Sequence, residues 1–191
     1  CVPVSAASKL PRLQVKGTQL VNSSGKKVQL RGISTHGLSW YPEYVNQSAF
    51  TFMKKNWKVN AVRLAMYTAE YNGYCTGDAS NRRKLEACID NGVKYATNAG
   101  MYVIIDWHIL SDGNPQQNQK EALKFFKKMA KKYKNNTNVI YEICNEPNGG
   151  TSWSTIKKYA EKIIKGMIYR KIRVLCGVFC GTPPEKARFH F

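Results

Sequence analysis

The sequence predicts an α/β fold, a parallel sheet covered by helices, on two observations. Apolar runs that read as strands recur at similar spacing, at Val28–Ile33, Ala61–Tyr67, Met101–Trp107, Val139–Cys144 and Val174–Cys180. The intervals between them carry helical patterns, and strand–helix alternation implies right-handed crossovers to parallel neighbours. Runs such as "MYVIIDW" at 101–107 are near-continuously apolar, which suits strands buried on both faces. Two architectures satisfy this pattern, an open doubly wound sheet and a closed (β/α)8 barrel. No glycine-rich phosphate loop opens any of the helices, which weakens the nucleotide-binding form of the open sheet.

Ahead of the first main strand, "LQVKGTQLVNSSGKKVQLRG" alternates around an Asn-Ser-Ser-Gly turn at residues 22–25 and reads as a small hairpin. Ala49, Phe50, Met53 and Trp57 mark the first helix, and Leu85, Ile89, Val93 and Ala96 the second. Ala122, Phe126, Met129, Ala130 and Tyr133 recur at helical spacing in the third, and Ile156, Ala160, Ile163, Ile164 and Met167 in the fourth. The 191 residues suit a single domain, with residues 1–14 as an N-terminal extension and 182–191 as an atypical tail.

Net charge is +18, from 30 Lys and Arg against 12 Asp and Glu, so the location of the charge decides its meaning. Lys120, Lys124, Lys127, Lys128, Lys131, Lys132 and Lys134 crowd the third helix, mostly off its apolar stripe. They read as a solvated outer face. No helix-turn-helix, zinc-finger or RNA-binding signature accompanies them, so no nucleic-acid partner is expected. No run approaches the roughly 20 apolar residues of a membrane helix, and no membrane partner is expected. The six cysteines (1, 75, 88, 144, 176 and 180) show no paired CxxC, and three histidines are present, which argues against structural zinc. Disulfide pairing stays open. The chain begins Cys1-Val2-Pro3 without an initiator Met or a visible signal peptide, as a processed or partial product would.

Chemistry-bearing residues gather at one place in each unit, the C-terminal end of the strand. The first strand leads into His36 and Trp40; the second carries Arg63 within it and Tyr67 at its end. The third delivers His108, and the fourth delivers Asn145 and Glu146. In a parallel barrel those ends share one rim. Taken singly, His36 or His108 reads equally as a structural histidine, Trp40 or Tyr67 as core, and Glu146 as a turn carboxylate. Arg63 in an apolar strand requires a carboxylate or carbonyl partner. Together they supply what a polar, ring-shaped substrate such as a sugar needs.

The stretches "LRGISTHGLSWY", "VRLAMYT", "YVIIDWHILSDGNP" and "VIYEICNEPNG" closely resemble the successive strand ends of glycoside hydrolase family 5, in particular its endo-β-1,4-glucanases (cellulases). The likeness runs from about Gly17 to Lys165. It implies a (β/α)8 barrel, a retaining two-carboxylate mechanism, no metal or other cofactor, a β-glucan polysaccharide or oligosaccharide as substrate, and an extracellular, secreted protein. By position, the resemblance makes Glu146 the general acid/base, with Asn145 on the sugar 2-hydroxyl and Arg63 supporting the second catalytic carboxylate. His36, Tyr67 and His108 would line the cleavage subsite, and Trp40 would stack on sugar. A general acid needs its pKa raised, which a partly desolvated cleft and a neighbouring carboxylate provide.

The pattern breaks downstream. A retaining glycosidase places its two carboxyl groups roughly 5–5.5 Å apart. The resemblance puts the attacking Glu at the end of strand 7, whereas this sequence stops during or just after strand 5. Only Glu161 and Glu185 follow Glu146, and neither matches the nucleophile motif. Gly181-Thr182-Pro183 resembles the family's strand-5 end, after which the basic tail departs. The expectation is an incomplete barrel of five units, truncated or frame-shifted, with little hydrolysis by the chain alone and self-association through unpaired sheet edges. A non-catalytic carbohydrate-binding remnant is the alternative, and mannan or other β-glucans are alternative substrates.

Overall fold

In the computed structural model, residues 9–167 are described, together with the strand pairing of residues 174–175. Strands β1 (Leu13–Lys16) and β2 (Gln19–Asn22) form an antiparallel hairpin. Then follow β3 (Gly32–Ser34), α1 (Gln47–Asn56), β4 (Ala61–Tyr67), α2 (Ala79–Asn98), β5 (Tyr102–His108), α3 (Gln119–Lys132), β6 (Val139–Glu142), α4 (Trp153–Gly166) and β7 (Val174–Leu175). The main sheet has the order β3-β4-β5-β6-β7, all parallel.

That sequential order decides between the two architectures. A doubly wound sheet reverses its strand order at a switch point and carries helices on both faces. Here each new strand adds beside the last, and helix residues from α1 to α4 share one core cluster with a single sheet face. This is the winding of a barrel. Val62, Leu64 and Met66 of β4, Val103, Ile105 and Trp107 of β5, and Val139 and Tyr141 of β6 supply that face. Against it pack Leu85, Ile89 and Val93 of α2, Phe125, Phe126 and Met129 of α3, and Tyr159 and Ile163 of α4. Trp107 sits at the centre of an aromatic cluster with Tyr74, Phe125 and Phe126. Full burial of each such side chain is worth about 1.5–3 kcal/mol.

The opposite face carries a different set. Ala61, Tyr102 and Ile140 meet Leu13 of the hairpin, backed by Leu10, Leu20, Val28, Leu30 and Ile104. The hairpin therefore covers the N-terminal end of this face, and the Tyr102 hydroxyl ties it down by donating to the Pro11 carbonyl at 2.8 Å. Toward the C-terminal end the same face turns polar, with Arg63, Asp106, Glu142 and His108. Helix starts are fixed locally. Side chains of Asn46, Asp78 and Ser152 accept the amides of Ala49, Asn81 and Thr155, caps typically worth about 1 kcal/mol each.

The seven lysines of the α3 region are all exposed, as the amphipathic pattern requires. Several boundaries shift. The hairpin reverses at Gly17-Thr18, where Gly17 has φ +60°, and not at the Asn-Ser-Ser-Gly turn, which follows β2 and leads to an isolated bridge from Val21 to Lys27. The first main strand is Gly32–Ser34 rather than Val28–Ile33, because Val28 and Leu30 pack beneath the hairpin. Leu13 is buried and starts β1, so residues 13 and 14 belong to the hairpin. Trp57 lies just past α1 and is exposed, so it belongs to no inward stripe. β6 ends at Glu142, two residues before Cys144. Residues 176–191, including the rest of the expected fifth strand and the tail, lie outside the described residues. Cys75, Cys88 and Cys144 carry no disulfide among the described residues; burial pushes the Cys75 thiol up to about 12 and that of Cys88 up to about 11.

Candidate active site

Strand register sets the geometry. β4 and β5 pair residue for residue from Ala61–Tyr102 to Tyr67–His108, and β5 pairs with β6 as far as Asp106–Glu142. The strand ends therefore lie side by side, and the loops after them meet at one edge.

The segment after β3 folds back over Tyr67. Leu38 N–H donates to the Ala65 carbonyl at 3.0 Å, which lays Gly37 against the Tyr67 ring so closely that a side chain there would collide with it. Gly37 N–H donates to His36 Nδ1 at 2.7 Å. The Trp40 ring stacks beside His36 with centroids 5.6 Å apart and meets Tyr67 edge-on at 5.1 Å, while its Nε1–H donates to the Tyr71 carbonyl at 2.9 Å. Trp40 nevertheless remains 42% exposed, an indole fixed in place with surface to offer. On the other side, Tyr67 and His108 have ring centroids 5.0 Å apart. Burial, then the nearby Glu70 carboxylate, raises the Tyr67 hydroxyl above its ordinary pKa, so it stays a neutral donor.

Beneath this ring cluster lies a charged one. Arg63 Nε and Nη2 donate to Glu142 Oε2 and Oε1, both at 2.7 Å. Nη2 also reaches Asp106 Oδ2 and Asn145 Oδ1, each at 2.9 Å. Burial opposes the Arg63 charge, but Glu142 and Asp106 more than offset it and the guanidinium is held firmly protonated. Asp106 is fully buried; that burial pushes its carboxyl up to about 6, against the opposing pull of His108 and Arg63. His108 Nδ1 lies 2.6 Å from Asp106 Oδ2.

Asn145 is buried and held at both ends, Oδ1 by Arg63 and Nδ2 by donation to the Ile109 carbonyl at 2.9 Å. An amide nitrogen carries two hydrogens, so among the described residues one N–H is left for a ligand. Glu146 follows at once and is exposed. Pro147 next to it ends any ladder, since it has no N–H to give. Asp106 and Glu142 are engaged by Arg63, and Glu70 accepts from Ser111 N–H at 2.9 Å. The Glu146 carboxylate, beside Asn145, makes no hydrogen bond or ion pair among the described residues. Behind the rim, buried Asp112 accepts from Thr68 Oγ1 at 2.9 Å, Asn118 Nδ2 at 2.8 Å and Leu110 N–H at 3.1 Å, and so joins the loops after β4 and β5.

The structure brings His36, Trp40, Tyr67, His108, Arg63 and Asn145 into one connected cluster, with Glu146 beside it. Asp106 and Glu142 are the members that the sequence reading passed over. Their signal was present: a lone guanidinium in an apolar strand demands carboxylates, and these two acids interrupt the neighbouring apolar strands. Among the described residues no group of three His, Cys, Asp or Glu side chains is placed to hold a metal ion.

Comparison with known proteins agrees with this geometry. The family profile "Cellulase (glycosyl hydrolase family 5)" matches residues 21–169. The chain belongs to that family. It is 46% identical over 172 residues to Endoglucanase A of Butyrivibrio fibrisolvens, covering 90% of this chain and 39% of that protein. It is 44% identical over 153 residues to Endoglucanase E-5 of Thermobifida fusca, covering 80% of this chain and 32% of that one. Among solved structures it superposes on Cellulase Cel5C_n with a TM-score of 0.83 at 39% identity, covering 92% of this chain and 56% of the other. It also superposes on the catalytic domain of the Thermobifida fusca endoglucanase Cel5A (E355Q) in complex with cellotetraose, with a TM-score of 0.75 at 42% identity, covering 82% and 49%. The chain thus spans under half the length of the two endoglucanases it matches in sequence and about half of the two solved structures, and its fold is an incomplete (β/α)8 barrel of their kind.

Proposed function

We propose that this chain is the acid/base half of a secreted endo-β-1,4-glucanase that cleaves internal bonds of a β-glucan with retention. The observation that carries the reading is the exposed carboxylate of Glu146 beside Asn145, whose amide Arg63 and the Ile109 carbonyl hold in one orientation. In this mechanism Glu146 gives its proton to the departing glycosidic oxygen as a second carboxylate attacks the anomeric carbon. It then takes a proton from the water that hydrolyses the glycosyl-enzyme. The spare Asn145 N–H meets the sugar 2-hydroxyl, a contact that strengthens in the transition state. His36, Tyr67 and His108 line the cleavage subsite, and the exposed face of Trp40 stacks on a sugar ring. Arg63 holds the floor of the site through Glu142, Asp106 and Asn145. No carboxylate matching the attacking group lies among the described residues.

That last point favours a second reading for the chain by itself, oligosaccharide binding without turnover. One experiment separates the two. Hydrolysis of carboxymethyl-cellulose, mannan and mixed-linkage glucan is measured for this chain and for a copy completed with the remaining strands of a relative. The proposal expects turnover of the β-1,4-glucans by the completed copy, abolished by Glu146→Gln. Full activity of the Glu146→Gln copy would overturn it.

A further inference from the structure

We propose that the two histidines flanking Tyr67 carry their protons on opposite ring nitrogens, and that Asp106 is the positioning residue that sets the proton of His108. His36 Nδ1 receives the Gly37 N–H at 2.7 Å and faces the Tyr67 hydroxyl at 3.5 Å. A nitrogen that accepts carries no hydrogen, so the His36 proton is on Nε2. His108 is arranged the other way. Its Nδ1 lies 2.6 Å from Asp106 Oδ2, and an ionised carboxylate only accepts, so Nδ1 holds the proton. Arg63 Nη2, 2.9 Å from the same oxygen, favours the ionised form of that carboxylate.

One donor competes. Arg63 Nη1 is 3.3 Å from His108 Nδ1 and would donate to it if that nitrogen were bare. The shorter, charge-assisted contact to Asp106 is the stronger of the two. Arg63 is anchored through Nη2 on Glu142 and Asn145 and does not need the Nη1 contact to be held, whereas Asp106 Oδ1 is buried with no hydrogen-bond partner among the described residues. Asp106 therefore depends on the contacts made at Oδ2 and holds the His108 proton there.

Among the described residues, Nε2 of neither histidine makes a hydrogen bond. The rim thus presents an N–H donor at His36 and a bare acceptor at His108, on either side of Tyr67. A hydroxyl both gives and takes a hydrogen bond, and this pair matches it; that meaning rests on the sugar-binding reading above, while the tautomers rest on geometry alone. Asp106 acts through His108 and touches no substrate itself.

The test is a two-bond proton–nitrogen NMR spectrum of the 15N-labelled chain at about pH 8, above the ordinary imidazole range near 6.5. His36 and His108 are assigned by single substitutions to Gln. The proposal expects a protonated Nε2 on His36 and a protonated Nδ1 with bare Nε2 on His108. In Asp106→Asn the proton of His108 moves to Nε2, because Arg63 Nη1 takes the vacated nitrogen. A protonated Nε2 on His108 in the unsubstituted chain overturns the proposal, and so does an unchanged pattern in Asp106→Asn. If that variant does not fold, the unsubstituted spectrum decides. The stated tautomers without cellotetraose binding would leave this inference standing and remove the sugar-binding reading instead.

Discussion

Arg63 of β4 grips Glu142 of β6 with two parallel hydrogen bonds of 2.7 Å, reaching across the intervening strand β5. The pair is mostly shielded, with side chains 21% and 12% exposed. Such a pair owes its worth to completeness: Arg63 without Glu142 still has Asp106, whereas Glu142 without Arg63 is a shielded carboxylate that has lost its cation. Replacing Arg63 with Leu strands both Glu142 and Asp106 and is expected to cost about 3–5 kcal/mol. The double change Arg63→Leu, Glu142→Leu recovers part of that loss. Urea denaturation of the three proteins measures it, and equal destabilisation by the single and double changes would contradict the account.

Asp106 makes stability depend on pH in a stated direction. Burial raises its carboxyl from 3.8 to about 6, so the folded chain holds this proton more tightly than the unfolded chain does. The stabilisation is then fully present below 3.8 and is lost as pH rises to about 6. The stability of the natural chain relative to Asp106→Asn is therefore expected to fall across that interval and to level off above it. Urea midpoints of both proteins, measured through the interval, show this. A relative stability that rises with pH would contradict it.

Gly37 is the narrow point of the rim. A Cβ added there would press into the Tyr67 ring, which also packs against His108 with ring centroids 5.0 Å apart. Gly37→Ala is expected to destabilise by about 1–3 kcal/mol, the usual range for overpacking. It also shifts Tyr67 out of line with Trp40, so oligosaccharide affinity falls together with stability. Thermal melting and cellotetraose calorimetry measure the two effects. A variant with unchanged melting and unchanged affinity would show that the close approach is unimportant.

Much of this was legible in the sequence because parallel α/β folds write themselves plainly. Strands buried on both faces give apolar runs, and helices with one wet face give a lysine side and an aromatic side, as in the α3 region. The site was legible where residues sit at strand ends, since a barrel gathers those ends whatever the loops do. Asp106 and Glu142 escaped because they lie inside strands, where polarity reads as noise until the register shows both beside Arg63. Apolar spacing left barrel and open sheet both standing; the resemblance implied the barrel, and the strand order bears it out. The hairpin turn was misplaced because Asn-Ser-Ser-Gly is the stronger turn signal, although it serves the next reversal, and Gly17-Thr18 closes the hairpin.

The central claim, that Glu146 donates the proton to the leaving group, is tested most directly by the leaving group itself. In a copy of the chain completed with the remaining barrel strands, Glu146→Gln is compared with the parent on two substrates. An unactivated β-1,4-glucan requires protonation of its departing oxygen, and its bond-cleavage rate is expected to fall about 10²–10⁴-fold. An aryl cellobioside with a nitrophenol leaving group departs without that proton, and the rate of its glycosylation step is expected to change little. An equal loss on both substrates would contradict the assignment.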